Sequence, residues 1–218
     1  MSLRINDIAP DFTADTTVGE INLYDWMGDG YAVLFSHPKD FTPICTTELG
    51  LMAGMEDDFA KRDAKILGVS VDAVSDHHKW KADITALTGN EVHYPMIGDT
   101  DMKVAKLYGM LPAEASGDVG TRTPADNQTV RSVFVIGPDK RIKLSLTYPM
   151  TTGRNFDEIL RALDSIRLTA KYKVATPANW KVGEDVVLTA AVSDEEANEK
   201  YGGFDKKLPY LRTTKQPG

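Results

Sequence analysis

The apolar residues of this 218-residue chain fall in short runs separated by Gly, Pro and charged positions. Tyr31-Ala32-Val33-Leu34-Phe35-Ser36 follows Gly28-Asp29-Gly30 and predicts a strand buried on both faces. A loop, His37-Pro38-Lys39-Asp40-Phe41, comes next. Thr42 and Pro43 then signal a helix start, with Thr as N-cap and Pro at the first helical position. Leu49, Met52, Met55 and Phe59 follow at helical spacing and give that helix an inward face. Ile66 to Val71 predicts a second buried strand, and Ser75 to Leu87 a helix with Trp80, Ile84 and Leu87 on one side. Met102 to Tyr108 reads as a short helix closed by Gly109. Val133 to Ile136 and Ile142 to Leu146 flank the turn Gly137-Pro138-Asp139-Lys140, which predicts a hairpin. Asn155 and Glu158 form a capping box for a helix running to about Leu168. This order predicts an α/β sandwich with a mixed sheet flanked by helices.

After Ala170 the character changes. Pro177, Trp180 and Gly183 lie in a polar stretch, Val186 to Ala191 reads as a strand, and Ser193 with Glu196 caps a short helix. The tail from Tyr201 is rich in Lys, Gly and Pro. The expected organisation is a main domain over residues 1–169 and a small C-terminal extension over 170–218. A net charge of −7 argues against broad attraction to nucleic acid or anionic membrane. No apolar stretch approaches the roughly 20 residues that span a bilayer. The start of the chain lacks the apolar core of a secretory signal, so a cytoplasmic location is expected.

The cysteine count changes the picture most. There is one, Cys45, so no disulfide forms within the chain and no cysteine cluster can hold zinc or iron–sulfur. If Thr42 is the N-cap, Cys45 is the third helical residue, near free backbone N–H groups and the positive end of the helix dipole. Both favour the thiolate, the nucleophilic form of a thiol. Read from the residues alone, Cys45 is either an activated thiol or a small buried hydrophobe.

Pro38-Lys39-Asp40-Phe41-Thr42-Pro43-Ile44-Cys45 resembles the peroxiredoxin signature, Pro-x-x-x-Thr-x-x-Cys. Phe35-Ser36-His37-Pro38, Thr46-Thr47-Glu48-Leu49, Gly137-Pro138-Asp139-Lys140 and the run from Tyr148 to Glu158 resemble the one-cysteine subgroup of that family. Ala175-Thr176-Pro177-Ala178-Asn179-Trp180 carries the likeness into the extension. The resemblance implies a thioredoxin-like fold and a thiol peroxidase without cofactor or metal. Cys45 is implied as the peroxidatic cysteine, with Thr42 directing its hydroxyl at the peroxide and Pro38 shielding the sulfur from water. Arg131 is implied to stabilise the thiolate and the charge building on the peroxide oxygens. Glu48 and Arg154 resemble the polar network supporting that Arg, and His37 a His near the sulfur.

Without a second cysteine, the oxidised sulfur must be reduced by an external thiol or protein. The resemblance further implies a homodimer or larger ring. Some subgroup members are also phospholipases through a Ser and a His; here Gly30 and Tyr24 stand at those positions and only Asp139 matches, so that activity is expected to be absent or to rest on a different site. His77, His78 and His93 read as solvated helix or loop residues rather than metal ligands, and Glu56-Asp57-Asp58 as an exposed acidic patch. A cysteine hydrolase, a binding protein with an inert Cys45 and a redox sensor are the competing readings.

Overall fold

The computed structural model describes residues 3–113 and 128–218. They form two compact units, Met1–Arg154 and Asn155–Gly218, dividing one helix earlier than the change of composition at Ala170.

The first unit is built on a seven-stranded sheet. Its strands are β1 (Thr13–Thr16), β2 (Gly19–Asn22), β3 (Tyr31–Ser36), β4 (Ala64–Ser70), β5 (Met96–Gly98), β6 (Arg131–Ile136) and β7 (Ile142–Tyr148). The order across the sheet is β2-β1-β5-β4-β3-β6-β7. The β5–β4–β3 pairs are parallel and the others antiparallel. Helices α1 (Leu23–Met27), α2 (Pro43–Gly54), α3 (Glu56–Ala60), α4 (Val74–Thr88) and α5 (Lys103–Leu107) connect the strands. This is the thioredoxin-like arrangement. β3 and β6 are buried along their whole length, as their continuous apolar runs require. The predicted hairpin is β6–β7, and Lys140 in its turn has a φ of 59°, a left-handed position.

The helix after Thr42 starts with Pro43 at its first turn, and Leu49, Met52, Met55 and Phe59 are all buried. It breaks at Met55, so Phe59 belongs to α3. α2 and α4 approach closely at Gly50, where a Cβ would lie 2.4 Å from the Thr88 side chain. That approach corrects one expectation. Trp80 and Ile84 face inward, but in the last turn Thr88 takes the position against α2 and Leu87 is 63% exposed.

The second unit holds α6 (Phe156–Lys171), β8 (Val174–Ala175), β9 (Val186–Leu188), α7 (Asp194–Tyr201), β10 (Asp205–Leu208) and β11 (Leu211–Thr214). Asn155 and Ser193 cap α6 and α7 by accepting from the N–H groups of Glu158 and Glu196. The Glu158 side chain pairs with Arg161. Val174, Trp180, Val186, Leu188, Val192 and Ala197 make a small core against which Leu168 and Tyr172 pack. The strand expected over Val186 to Ala191 stops at Leu188, and the Lys-rich tail contains the β10–β11 hairpin. Among the described residues no helix is long and apolar enough to cross a membrane.

Candidate active site

Thr42 occupies the N-cap of α2, and Cys45 is the third helical residue. Glu48 lies one turn on, on the same face. Thr42, Cys45 and Glu48 thus project from one short stretch at the start of α2. The Thr42 hydroxyl does not cap the helix; it donates to the Lys39 carbonyl oxygen at 2.8 Å. Pro38 is buried in the preceding loop.

Arg131 opens β6 and Arg154 follows β7; strand pairing beside β3 brings both to α2. Arg131 Nη1 lies 3.4 Å from Cys45 Sγ and donates to Glu48 Oε2 at 2.6 Å, while its Nε donates to the Met150 carbonyl at 2.8 Å. Arg154 grips the same carboxylate: its backbone N–H reaches Oε1 at 2.7 Å and its Nη2 reaches Oε2 at 2.7 Å. Its Nη1 donates to the carbonyls of Ser36 and Ser132, tying the ends of β3 and β6 together. Cys45 is fully buried, and Glu48, Arg131 and Arg154 are 4, 2 and 6% exposed. Burial pushes the Glu48 carboxyl up, but the hydrogen bonds and charge of Arg154, with the charge of Arg131, hold it below its usual value.

Two buried guanidiniums face one buried carboxylate, where an unbalanced charge is costly. The Cys45 sulfur lies beside this cluster, within reach of Arg131. The cavities of about 320 and 310 Å³ are lined by other residues, and the Cys45 side chain is fully buried.

The loop after β3 carries a second buried cluster that the sequence reading missed. His37 Nε2 and Asp40 Oδ1 are 2.8 Å apart, and His77 Nδ1 and Asp40 Oδ2 are 2.6 Å apart. His77 Nε2 lies 3.0 Å from the Ile97 carbonyl oxygen. His77 is fully buried, which corrects its reading as a solvated helix residue; His78 and His93 are exposed. The reason is periodicity, since His77, Trp80 and Ile84 share the inward face of α4. Burial raises the Asp40 carboxyl, but hydrogen bonds from the two histidines overcome this and hold it at about 2. Burial lowers His77, but its bond to Asp40 brings it above its ordinary value; for His37 burial wins and the value falls. Ligand atoms of His37, Asp40 and His77 lie within 4.8 Å of one another, as a metal site requires. They are hydrogen-bonded to each other, however, and a cation would have to displace those protons. His37 is not hydrogen-bonded to Cys45; its Nδ1 has no partner among the described residues.

The position of the phospholipase serine is closed as well as empty. A Cβ on Gly30 would lie 2.7 Å from the Asp63 carbonyl oxygen. Tyr24 donates to the Ala9 carbonyl and Asp139 pairs with Lys143.

Comparison with known proteins agrees over the whole length. The AhpC/TSA family profile matches residues 5–145, and that of the C-terminal domain of 1-Cys peroxiredoxin matches residues 165–203. The chain is 51% identical over 216 residues to the 1-Cys peroxiredoxin of Dictyostelium discoideum, covering 99% of this chain and 86% of that protein. Its structure is similar to a mutant of the peroxiredoxin 6 of Arenicola marina (TM-score 0.90, 43% identity, 99% of both chains). It is also similar to the yeast mitochondrial 1-Cys peroxiredoxin, solved to explain thiol resolving via the glutathione and thioredoxin systems (TM-score 0.87, 48% identity, 98% of this chain and 99% of that one).

Proposed function

This chain belongs to the AhpC/TSA family as a 1-Cys peroxiredoxin, a thiol-dependent peroxidase, and we propose from that premise that Cys45 is the sulfur that meets the peroxide. The observation that carries this is Arg131 Nη1 at 3.4 Å from Sγ, inside a buried cluster of two guanidiniums and one carboxylate. The thiolate attacks one peroxide oxygen and the O–O bond breaks. The other oxygen leaves as hydroxide or alkoxide and takes up a proton. The sulfur loses two electrons and becomes a sulfenic acid, and the peroxide becomes water or an alcohol. Arg131 stabilises the thiolate and then the charge spreading onto the oxygens, a preorganised role. Glu48 and Arg154 hold the Arg131 guanidinium in place. The Thr42 proton is engaged by the Lys39 carbonyl, so its oxygen lone pairs are free to accept the peroxide O–H. Pro38, buried in the same loop, is proposed to shield the sulfur from water, and His37 to act through the loop rather than as a base on Cys45.

With one cysteine, the cycle closes on outside thiols. One thiol condenses with the sulfenic acid, releasing water and leaving a mixed disulfide; a second thiol releases Cys45. Glutathione or a thioredoxin-type protein is the proposed reductant, by analogy with the yeast protein. Mixing the protein with one equivalent of hydrogen peroxide should give fast loss of the oxidant and a trappable sulfenic acid at Cys45. Thr42→Val should slow that step by about tenfold or more and Thr42→Ser should restore most of it. A rate no better than that of a free thiol would sink the assignment.

The proposed assembly is a homodimer or larger ring, located in the cytoplasm. Val182, Leu208 and Tyr210, exposed at 58, 44 and 83%, are apolar surface of the kind a partner subunit covers. Sedimentation of the intact protein as a monomer at micromolar concentration would refute the assembly, and recovery in an organelle fraction would refute the location.

A further inference from the structure

The loop that delivers Cys45 contains a strained turn. Phe41 has a φ of 54° although it carries a bulky side chain, and its neighbour Thr42 is the N-cap of α2. A left-handed non-glycine residue persists only where its surroundings over-determine it. Asp40, on the other side of Phe41, supplies that constraint. Its N–H donates to Asp72 Oδ2 at 2.9 Å, and Asp72 in turn accepts from the Ser70 hydroxyl at the end of β4. Its carboxylate engages His77 on α4 and His37 at the end of β3.

Donor and acceptor bookkeeping fixes the protons. A carbonyl only accepts, so His77 Nε2 carries a hydrogen toward Ile97 O. An ionised carboxylate only accepts, so His77 Nδ1 carries one toward Asp40 Oδ2. His77 is therefore an imidazolium, and its charge cancels that of Asp40. His37 donates from Nε2 to the other carboxylate oxygen and keeps its Nδ1 lone pair. The Asp40 carboxylate thus joins the loop after β3 to α4, and its backbone N–H reaches the end of β4 through Asp72.

We propose that Asp40 and His77 are positioning residues for the peroxide reaction: their buried ion pair locks the left-handed turn at Phe41 and so sets Thr42 and the first turn of α2. Neither touches the sulfur. A second path leads the same way, because Trp80, one turn from His77, donates from its indole N–H to the Thr46 hydroxyl next to Cys45. The inference rests on Cys45 being the reacting sulfur.

The test compares two reactions of the same thiolate. Peroxide reduction needs Thr42, Arg131 and the sulfur in register; alkylation by iodoacetamide needs only an accessible thiolate. His77→Gln and Asp40→Asn keep size and polarity and remove one charge each. Both are expected to slow oxidation by hydrogen peroxide by about tenfold or more, the scale of a sub-ångström misplacement. Alkylation is expected to stay within about threefold of the unaltered protein. Folded variants whose oxidation stays within about twofold, or whose two rates fall in parallel, would overturn the clamp. If neither variant folds, nitrogen-15 NMR of the unaltered protein decides: His77 protonated on both ring nitrogens at neutral pH supports it, and a neutral His77 overturns it. A slow unaltered protein would instead discard the Cys45 assignment, and the clamp with it.

Discussion

Replacing Arg131 with methionine is expected to slow the reaction of Cys45 with hydrogen peroxide by about two to three orders of magnitude. Cys45→Ser sets the zero of the same assay. Methionine fills the space of the arginine stem, so packing around β6 changes little. What disappears is the charge 3.4 Å from the sulfur and the hydrogen bonds to Glu48 and the Met150 carbonyl. Two losses then combine. The pocket would hold Glu48 and a thiolate against Arg154 alone, so the thiol form gains. The charge that develops on the peroxide oxygens also loses its donor. Arg131→Lys should fall between, because an ammonium is a point charge and cannot bond sulfur, carboxylate and carbonyl from one planar fork. A rate for Arg131→Met within a few-fold of the unaltered protein would remove Arg131 from the reaction.

Local signals in the sequence carried much of this site, and their reach explains where they stopped. Thr42 and Pro43 announce the start of α2, which places Cys45 on its first turn; the buried run of β3 and the hairpin β6–β7 were equally legible. Glu48 stands three residues after Cys45, so its presence on the same face followed from helical geometry. Arg131 lies 86 residues from Cys45, and only the family resemblance joined them. His77 shows a different failure. It stands three and seven residues before Trp80 and Ile84, spacing that puts it on the buried face, but beside His78 it is weighed only as a metal ligand and, with no cysteine cluster near, reads as solvated. Its partner Asp40 is 37 positions away, and no local pattern announces such a pair. The hairpin β10–β11 was hidden for another reason: β10 is exposed along its whole length, so Asp205-Lys206-Lys207-Leu208 has no apolar alternation to read.

Glu48→Ala is expected to destabilise the Met1–Arg154 unit by about 3–5 kcal/mol, the cost of removing one partner from a buried ionic cluster. Glu48 receives Arg131 on one oxygen and Arg154 on both, and the two guanidiniums are almost fully buried. Without the carboxylate they repel each other with Cys45 as the remaining anion between them. Hydrogen exchange at the amides of β3 and β6, which Arg154 ties together through Ser36 and Ser132, reads this loss locally. The sulfur beside Arg131 supplies a double-mutant test. In a Cys45→Ser background no anion remains, and the cost of Glu48→Ala should exceed its cost alone by more than the roughly 0.5 kcal/mol that independent sites allow. Additive costs would mean that the sulfur carries no charge in the folded protein, and the electrostatic basis of the peroxidase assignment at Cys45 would fall with it.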